Sequence, residues 1–470
     1  MSGMRDRVIR QMEKVSQRTA VAKATRHHYH TRKKQWAKMA EEGRLQPLRD
    51  WVRDVKNQAL NNNSQVVAQF KAALEARGGH VHFAATAEDA VRQVVEIASA
   101  HGAKLAVKAK SMASEEIQLN PGLEKAGIEP VETDLGEYIV QLAGEPPVHI
   151  VGPALHLTRY DVAELFEEKL GQPMSPDPEA LTAVARRVLR EKFLQADIGI
   201  TGGNAGIAET GTVVLFTNEG NGRMVTSLPR VMVTVIGLEK MVSTWADFEP
   251  ILTLLPRSAT GQNSTVYVSA ITGPRREGEI DGPEELHVII LDAGRSQLLG
   301  TKYQEALRCF RCGACLNCCP VFRQLGGHAY GTTYGGPIGV TITPLMKGFM
   351  ENADLLDACS LCGACTEACA VQIPLHHFIR DQKEQRAQSA YTSSMERFVF
   401  RVWSWAWSSP GRYRLVARLA KWLSRPFSKD GYLTWHPGPL GAWGAGREFP
   451  APAARSLRDR WEELEREVNP

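Results

Sequence analysis

The 470-residue sequence predicts an α/β domain on a mostly parallel sheet, then a short helical domain holding every cysteine, then a helical tail. Three observations lead there. Between about residues 60 and 300, short β-branched runs alternate with helical stretches, the pattern of a parallel sheet with helices on both faces. All nine cysteines lie between positions 309 and 369, in two copies of one spacing. From residue 395 to 427, basic and serine residues recur at helical spacing beside a wide apolar face.

In chain order, residues 1–60 form a basic helical extension, with fifteen Lys and Arg against six Asp and Glu. The remaining 41 basic and 46 acidic residues make the rest mildly acidic, which argues against a globally basic nucleic-acid binder. The arm reads as a solvated helix or as a dock for an acidic partner surface. His27, His28 and His30 receive no metal role. Residues 61–300 form the α/β domain. Thr86 caps a helix whose apolar face carries Ala90, Val91, Val94, Val95 and Ile97, and Gly102 stops it. KLAVKA, VHIVG, DIGITG, TVVLFT, VMVTVIGL, STVYVSAI and HVIILD read as strands, and EALTAVARRVLREKFLQA as a helix. A linker near 294–302 leads into a cysteine domain over 301–388, and 389–470 is a helical hairpin with an extended tail. With 43% hydrophobic residues the chain can bury at least two cores.

The first cysteine block, CFRCGACLNCCP, places Cys309, Cys312, Cys315 and Cys319 at the spacing C-x2-C-x2-C-x3-C, followed by Pro320. CSLCGACTEACA repeats it with Cys359, Cys362, Cys365 and Cys369. Two-residue gaps let a tight turn aim three thiolates at three irons of one cube, while the fourth cysteine reaches the other cluster, as in two-cluster ferredoxins. The spacing predicts two [4Fe-4S] clusters, one on Cys309, Cys312, Cys315 and Cys369, the other on Cys359, Cys362, Cys365 and Cys319. Gly313 and Gly363 sit inside the turns, where a missing Cβ lets backbone amides approach the sulfides. Structural zinc wants four ligands in pairs, and neither half stops at two pairs. Disulfides are disfavoured by the cysteine-free remainder and an N-terminus unlike a secretion signal, so a reducing cytoplasm is expected. Cys318 breaks the count of eight; it competes with Cys319 as a ligand, but the x3 gap and Pro320 favour Cys319.

In DIGITGGNAGIAETGTVVLFTNEGNGRMVTSLPR, residues 197–230, a strand runs into Gly202 and Gly203, a turn or short helix follows, and Glu209, Thr210 and Gly211 lead into another strand. Glycines there either face amides to an anion or make tight turns. They fit neither the dinucleotide fingerprint nor the P-loop. GITGGNAGIAETGT, NEGN, SLPR, KAKSMASEEIQLN, ETDLGEYIVQLAGE and GACLNCCPVFRQLGGHAYGTTYGGPIG together closely resemble the lactate utilisation protein B family over roughly residues 30–460. The resemblance implies a LUD domain, similar in fold to ribose-5-phosphate isomerases and CoA-transferases, followed by a ferredoxin-like domain. It implies the iron-sulfur subunit of a three-component system oxidising L-lactate to pyruvate, an oxidoreductase subunit active within a complex containing a cysteine-rich subunit and a second LUD protein.

Where lactate is oxidised stays open. Glu209, Lys108, Lys110, His149, His156, Arg223 and Arg230 could supply a base or a carboxylate-binding cation. Glu209 is the candidate catalytic residue, and Arg223 can instead pair with Glu219. No flavin or nicotinamide signature is present. The alternatives are the iron-sulfur subunit of a glycolate- or succinate-type dehydrogenase, which lacks the TGGNAGIAETGT stretch, and an enzyme using its own LUD pocket. In the tail, seven of ten tryptophans follow residue 400, and SSPG splits 395–427 into a hairpin. Its ten-residue apolar runs are too short to span a bilayer. It packs on the cluster domain or a partner, or lies at the inner membrane surface as a peripheral anchor. HPGPLGAWGAGREFPAPAAR is expected to be extended, ahead of a short charged helix near Trp461.

Overall fold

The computed structural model describes residues 3–171, 173–433, 449–453 and 455–468. The chain forms two compact units, Met1–Gln385 and Arg386–Pro470. Within the first, a six-stranded sheet takes β1 (His80–Ala84), β2 (Leu105–Lys108), β3 (Glu129–Glu132), β4 (Ile198–Gly202), β7 (Val231–Gly237) and β10 (Glu285–Leu291) in the order β1-β10-β7-β4-β2-β3. Every neighbouring pair is parallel. Central β4 and β7 are buried along their whole length, as strands covered on both faces must be. Alternate residues serve opposite layers: Ile289 and Leu291 join the core under the Ala87–Ala100 helix, while Val288 and Ile290 join the one on the other face. Thr86 caps that helix by accepting from the Asp89 amide at 3.1 Å, and Gly102 follows it in the left-handed region.

A second, four-stranded sheet, β8-β5-β6-β9, is built from β5 (Ala205–Ile207), β6 (Thr212–Thr217), β8 (Met241–Val242) and β9 (Tyr267–Ile271). The expected turn or short helix after Gly203 is therefore β5, paired antiparallel with β6. Gly211 there cannot be replaced cheaply, because its φ is +62° and a Cβ would lie 2.3 Å from the Leu74 backbone nitrogen. VHIVG is not a strand but a run of bends. His149 explains it: its Nδ1 accepts from the amides of Val151 at 3.1 Å and Gly152 at 3.3 Å, so the imidazole satisfies backbone groups that a sheet neighbour would otherwise take.

One further expectation is corrected by packing. The basic arm is helical but is not simply a solvated extension. Arg7 reaches the Ala329 and Tyr330 carbonyls and Asp354, Arg18 the Gln324 carbonyl, and Arg32, buried, the Ala368 carbonyl at 3.2 Å. The carbonyls at the ends of the short cysteine-domain helices lack intrahelical donors, and these cations supply them. The linker segment 294–302 is itself tied into the structure. Arg295, 1% exposed, donates to Glu116 at 2.8 and 2.9 Å and to Glu239 at 2.7 Å. Tyr334, from beyond the cysteine loop, donates to Glu116 at 2.7 Å. Burial alone would raise the Glu239 carboxyl, yet Arg295, Lys240 and Arg311 hold it down at about 2. Removing one member of such a network strands the others' charges. Arg295→Met should cost about 3–5 kcal/mol, read as a lower denaturant midpoint at unchanged iron content.

At one sheet edge, His80 and His82 stack on His287, with centroids at 4.8 and 5.4 Å. Burial pushes the His287 imidazole down from 6.5 to about 4, with Glu285 opposing and His80 and His82 adding to the fall. Below pH 6.5 the unfolded chain takes up the proton that the folded one refuses. Stability is therefore lost as pH drops from about 6.5 toward 4, by up to roughly 3 kcal/mol. His287→Gln should flatten this slope between pH 6.5 and 5, measured as the wild-type minus variant difference in unfolding free energy.

In the second unit, Ser393 caps the helix Ser394–Trp407 and Ser409 caps Pro410–Ser424, so the SSPG break stands. Phe398, Trp403, Trp405, Trp407 and Trp422 are exposed. No described helix is long and apolar enough to cross a membrane. Most of the segment expected to be extended, namely 436–448 and 454, lies outside the described residues; Trp461–Val468 is helical.

Candidate iron-sulfur centre and the adjoining cavity

The sequence repeat becomes a backbone repeat. Two residues after the first cysteine of each block the chain enters the left-handed region at a non-glycine residue, Arg311 (φ 62°) and Leu361 (φ 55°). Two further on, Gly313 (φ 73°) and Gly363 (φ 81°) repeat it. An L-residue there costs about 1–2 kcal/mol, so the surrounding fold must impose it. The result is a ring of amides around sulfur. Arg311 N–H donates to Cys309 Sγ at 3.4 Å and Leu361 N–H to Cys359 Sγ at 3.4 Å. Phe322 N–H reaches Cys319 Sγ at 3.5 Å, where that cysteine caps the helix Pro320–Leu325, and Ile373 N–H reaches Cys369 Sγ at 3.2 Å.

The fourth cysteine of each block lies with the other block. A small cavity of about 20 Å³ is lined by Cys319 together with Cys359, Cys362 and Cys365. On the other side, burial pushes the Cys312 thiol up to about 12, and Cys309 and Cys369 add to the rise. Burial likewise carries Cys369 up to about 11, with Cys309 adding. Buried thiols crowded in this way resist ionisation until a metal cation takes them as thiolates. The donor set therefore fits iron-sulfur clusters: soft sulfurs converge on two places, with amide donors already aimed at them. Cys318 is different. It is buried, and its Sγ–H donates to the Cys315 carbonyl at 3.3 Å.

Four cations that sequence reasoning missed as part of the centre hold carbonyls of these loops. Lys240 Nζ donates to Cys309 O at 3.1 Å, Arg32 to Ala368 O at 3.2 Å, Arg49 to Cys369 O at 2.9 Å and Lys383 to Cys359 O at 2.8 Å. They place positive charge around a cage of thiolates. No spacing rule could have found them, because they come from three separate regions of the chain.

Beside the first loop lies a larger cavity of about 300 Å³. It opens at the carboxyl ends of β4 and β7, where Gly202 and Gly237 line it, the position at which open parallel sheets receive ligands. Its opposite wall is Phe310 and Arg311, inside the first cysteine block, and Tyr334. The glycines are there for close approach: a Cβ on Gly202 would sit 2.5 Å from Ser111 Oγ, and one on Gly203 2.5 Å from Ile236 Cδ1.

Of the candidate residues, only Lys110 lines this cavity. Lys108 is buried beneath it and pairs with Glu132 at 2.5 Å. Glu209 does not reach the cavity; it is exposed, and its carboxylate accepts from the Trp245 amide at 2.6 Å at the start of a helix, which leaves it no position for catalysis there. His149 Nε2 meets Asn317 at 3.1 Å, and burial pushes its pKa to about 3, a neutral packing imidazole. His156 bonds Glu145 at 2.7 Å, and Arg230 pairs with Glu284 at 2.6 Å on the surface. Arg223 lies 5.3 Å from the Tyr267 ring centroid, not in an ion pair with Glu219.

Comparison with known proteins agrees with this architecture. Residues 67–291 match the LUD domain family, 305–373 the 4Fe-4S dicluster domain, and 379–466 the C-terminal domain of lactate utilisation protein B. The chain is 45% identical to "Lactate utilization protein B" of Geobacillus kaustophilus, covering 92% of this chain and 91% of that one. It is 46% identical to the protein of that name from Oceanobacillus iheyensis over the same shares, and 44% identical to that of Bacillus subtilis over 89% and 88%. A solved DUF162 family protein from Deinococcus radiodurans is 14% identical, with a TM-score of 0.26 over 49% of this chain and 98% of that one, too low a score to argue from. With a LUD domain, a dicluster block and a C-terminal domain in the same order, and near-full-length identity of this size, the chain belongs to the lactate utilisation protein B family.

Proposed function

We propose that this chain is the iron-sulfur electron-transfer subunit of a complex that oxidises L-lactate to pyruvate. Cys309, Cys312, Cys315 and Cys369 hold one [4Fe-4S] cluster, and Cys359, Cys362, Cys365 and Cys319 hold the second. The observation that carries the ligand reading is the small cavity in which Cys319 meets the three thiols of the other block. Cys318 is left out because its sulfur already has a carbonyl partner.

Such clusters, once bound, accept and release one electron each. The chain's own residues fix the sulfurs, donate amides to them and surround the loops with cations. Lactate oxidation releases two electrons and two protons, and this chain shows no organic two-electron cofactor motif. The primary acceptor therefore belongs to a partner, a cysteine-rich subunit or a second LUD-domain protein, as the resemblance implies. The complex works in the cytoplasm. Exposed tryptophans among Arg401, Arg412, Arg414, Arg418 and Lys421 support a second role for 395–427, peripheral contact with the inner membrane face.

The test is anaerobic purification with the associating subunits, followed by addition of L-lactate while the cluster absorbance is recorded. Bleaching in the assembled complex supports the relay; a complex that turns lactate over while these clusters stay oxidised refutes it.

A further inference from the structure

The 300 Å³ cavity is lined by cationic hydrogen-bond donors that its own carboxylates do not take up. Lys110 Nζ donates only to the Val151 carbonyl, at 2.6 Å, and Lys240 Nζ only to the Cys309 carbonyl, at 3.1 Å. Neither ammonium has a carboxylate within 4.0 Å among the described residues. The acids take their hydrogen bonds from other donors, although Glu239 lies in the field of Lys240 and Glu219 in that of Lys110. Glu239 is held by Arg295 at 2.7 Å, and Asp134 caps a helix through the amides of Gly136 and Glu137. Arg311 stacks on Tyr334 with its guanidinium 4.5 Å from the ring centroid, sits 3.6 Å from Glu239, and keeps one buried guanidinium nitrogen without a hydrogen-bond partner. Charges taken from water are normally paired, so this cavity has cations awaiting an anion.

The lining narrows the class. Lys110, Lys240, Arg295 and Arg311 face Asp134, Glu219 and Glu239, and Glu116 pairs with Arg295, so the charges balance overall and the open donor capacity is local to Lys110, Lys240 and Arg311, which suits one carboxylate better than a multiply charged phosphate. Phe216, Phe310, Leu255 and Ile236 offer apolar wall for a carbon skeleton. We propose that the cavity binds a small organic monocarboxylate, its carboxylate held between Lys110 and Lys240, directly against the loop that carries Cys309 and Cys312. The site is inferred from the cavity's own charges and stands whether or not the chain relays electrons from lactate.

Its position makes binding and cluster charge antagonistic. An anion placed beside the Cys309 loop opposes arrival of an electron there, and by linkage reduction must weaken the anion's binding by the same factor. A tenfold loss of affinity on reduction corresponds to about 59 mV in a one-electron potential.

The experiment is calorimetric titration of the iron-loaded chain with pyruvate, L-lactate and inorganic phosphate, in oxidised and dithionite-reduced states, without turnover. Saturable 1:1 binding of one monocarboxylate, with a Kd near about 1 mM or tighter, is expected. It should weaken at least about tenfold in Lys110→Gln, which touches no cysteine, and weaken again on reduction. Lys240→Gln is the second variant, scored only at full iron content. Absence of binding by both monocarboxylates, affinity unchanged in Lys110→Gln, or a preference for phosphate would each overturn the proposal.

Discussion

L-Lactate added anaerobically to the isolated, iron-loaded chain is expected to leave its cluster absorbance unchanged, while dithionite bleaches it fully. The reason is electron count, together with where the residues that the sequence offered as bases stand. Glu209 caps a helix outside the cavity, His149 is locked between Asn317 and its own turn, and Lys108 is tied to Glu132. Removal of hydrogen from the carbon of a 2-hydroxy acid needs a general base within reach of that atom and an acceptor for two electrons. The cavity holds the carboxylates Asp134, Glu219 and Glu239, but the only electron carriers beside it are the one-electron clusters that the cysteine sulfurs would hold. Adding the partner subunits should restore lactate-dependent bleaching, a change from none to near complete. Rapid reduction by lactate in the isolated chain would move the oxidation site into this LUD domain.

A nearly equal effect is expected at the ligands. The chain should hold close to eight irons after reconstitution, the content of two [4Fe-4S] cubes. Cys318→Ser should leave that number unchanged. Cys319→Ser and Cys369→Ser should each cost at least half of it and disturb the spectra of both clusters, because each sulfur stands with the opposite block. Loss confined to the cluster nearest in sequence would break the crossed arrangement, and loss of half the iron in Cys318→Ser would show that the neighbouring sulfurs had been exchanged.

How much could be read from sequence depended on how local the cause was. The cysteine spacing was legible because three sulfurs on one turn converge through nearest-neighbour geometry, and the same turn appears twice in φ. The alternation of the α/β domain was legible through β2, β4, β6, β7, β9 and β10. β1 and β3 escaped because HVHFA and EPVE carry His, Glu and Pro, which no strand propensity favours; their place is decided by the neighbours they pair with, β10 and β2. VHIVG misled in the opposite direction, since one histidine serves its own backbone. The cavity was invisible: Lys110, Lys240 and Arg311 are meaningless apart, and only the packing of two domains brings them to one cavity.

The arginines of the N-terminal helices carry a consequence for biosynthesis. Arg32 and Arg49 close on carbonyls 336 and 320 residues further along the chain. The equilibrium cost of so distant a closure grows only logarithmically, about 0.6 kcal/mol for each doubling of the loop. Its timing is another matter. The ribosome releases residues 359–369 only after the whole LUD domain has emerged, so the first helices must wait for their partners through most of translation. If Cys369 holds iron, its loading is a late event, after the N-terminal helices have met the second cysteine block, and a chain that stops before residue 369 presents its first three thiols without the fourth.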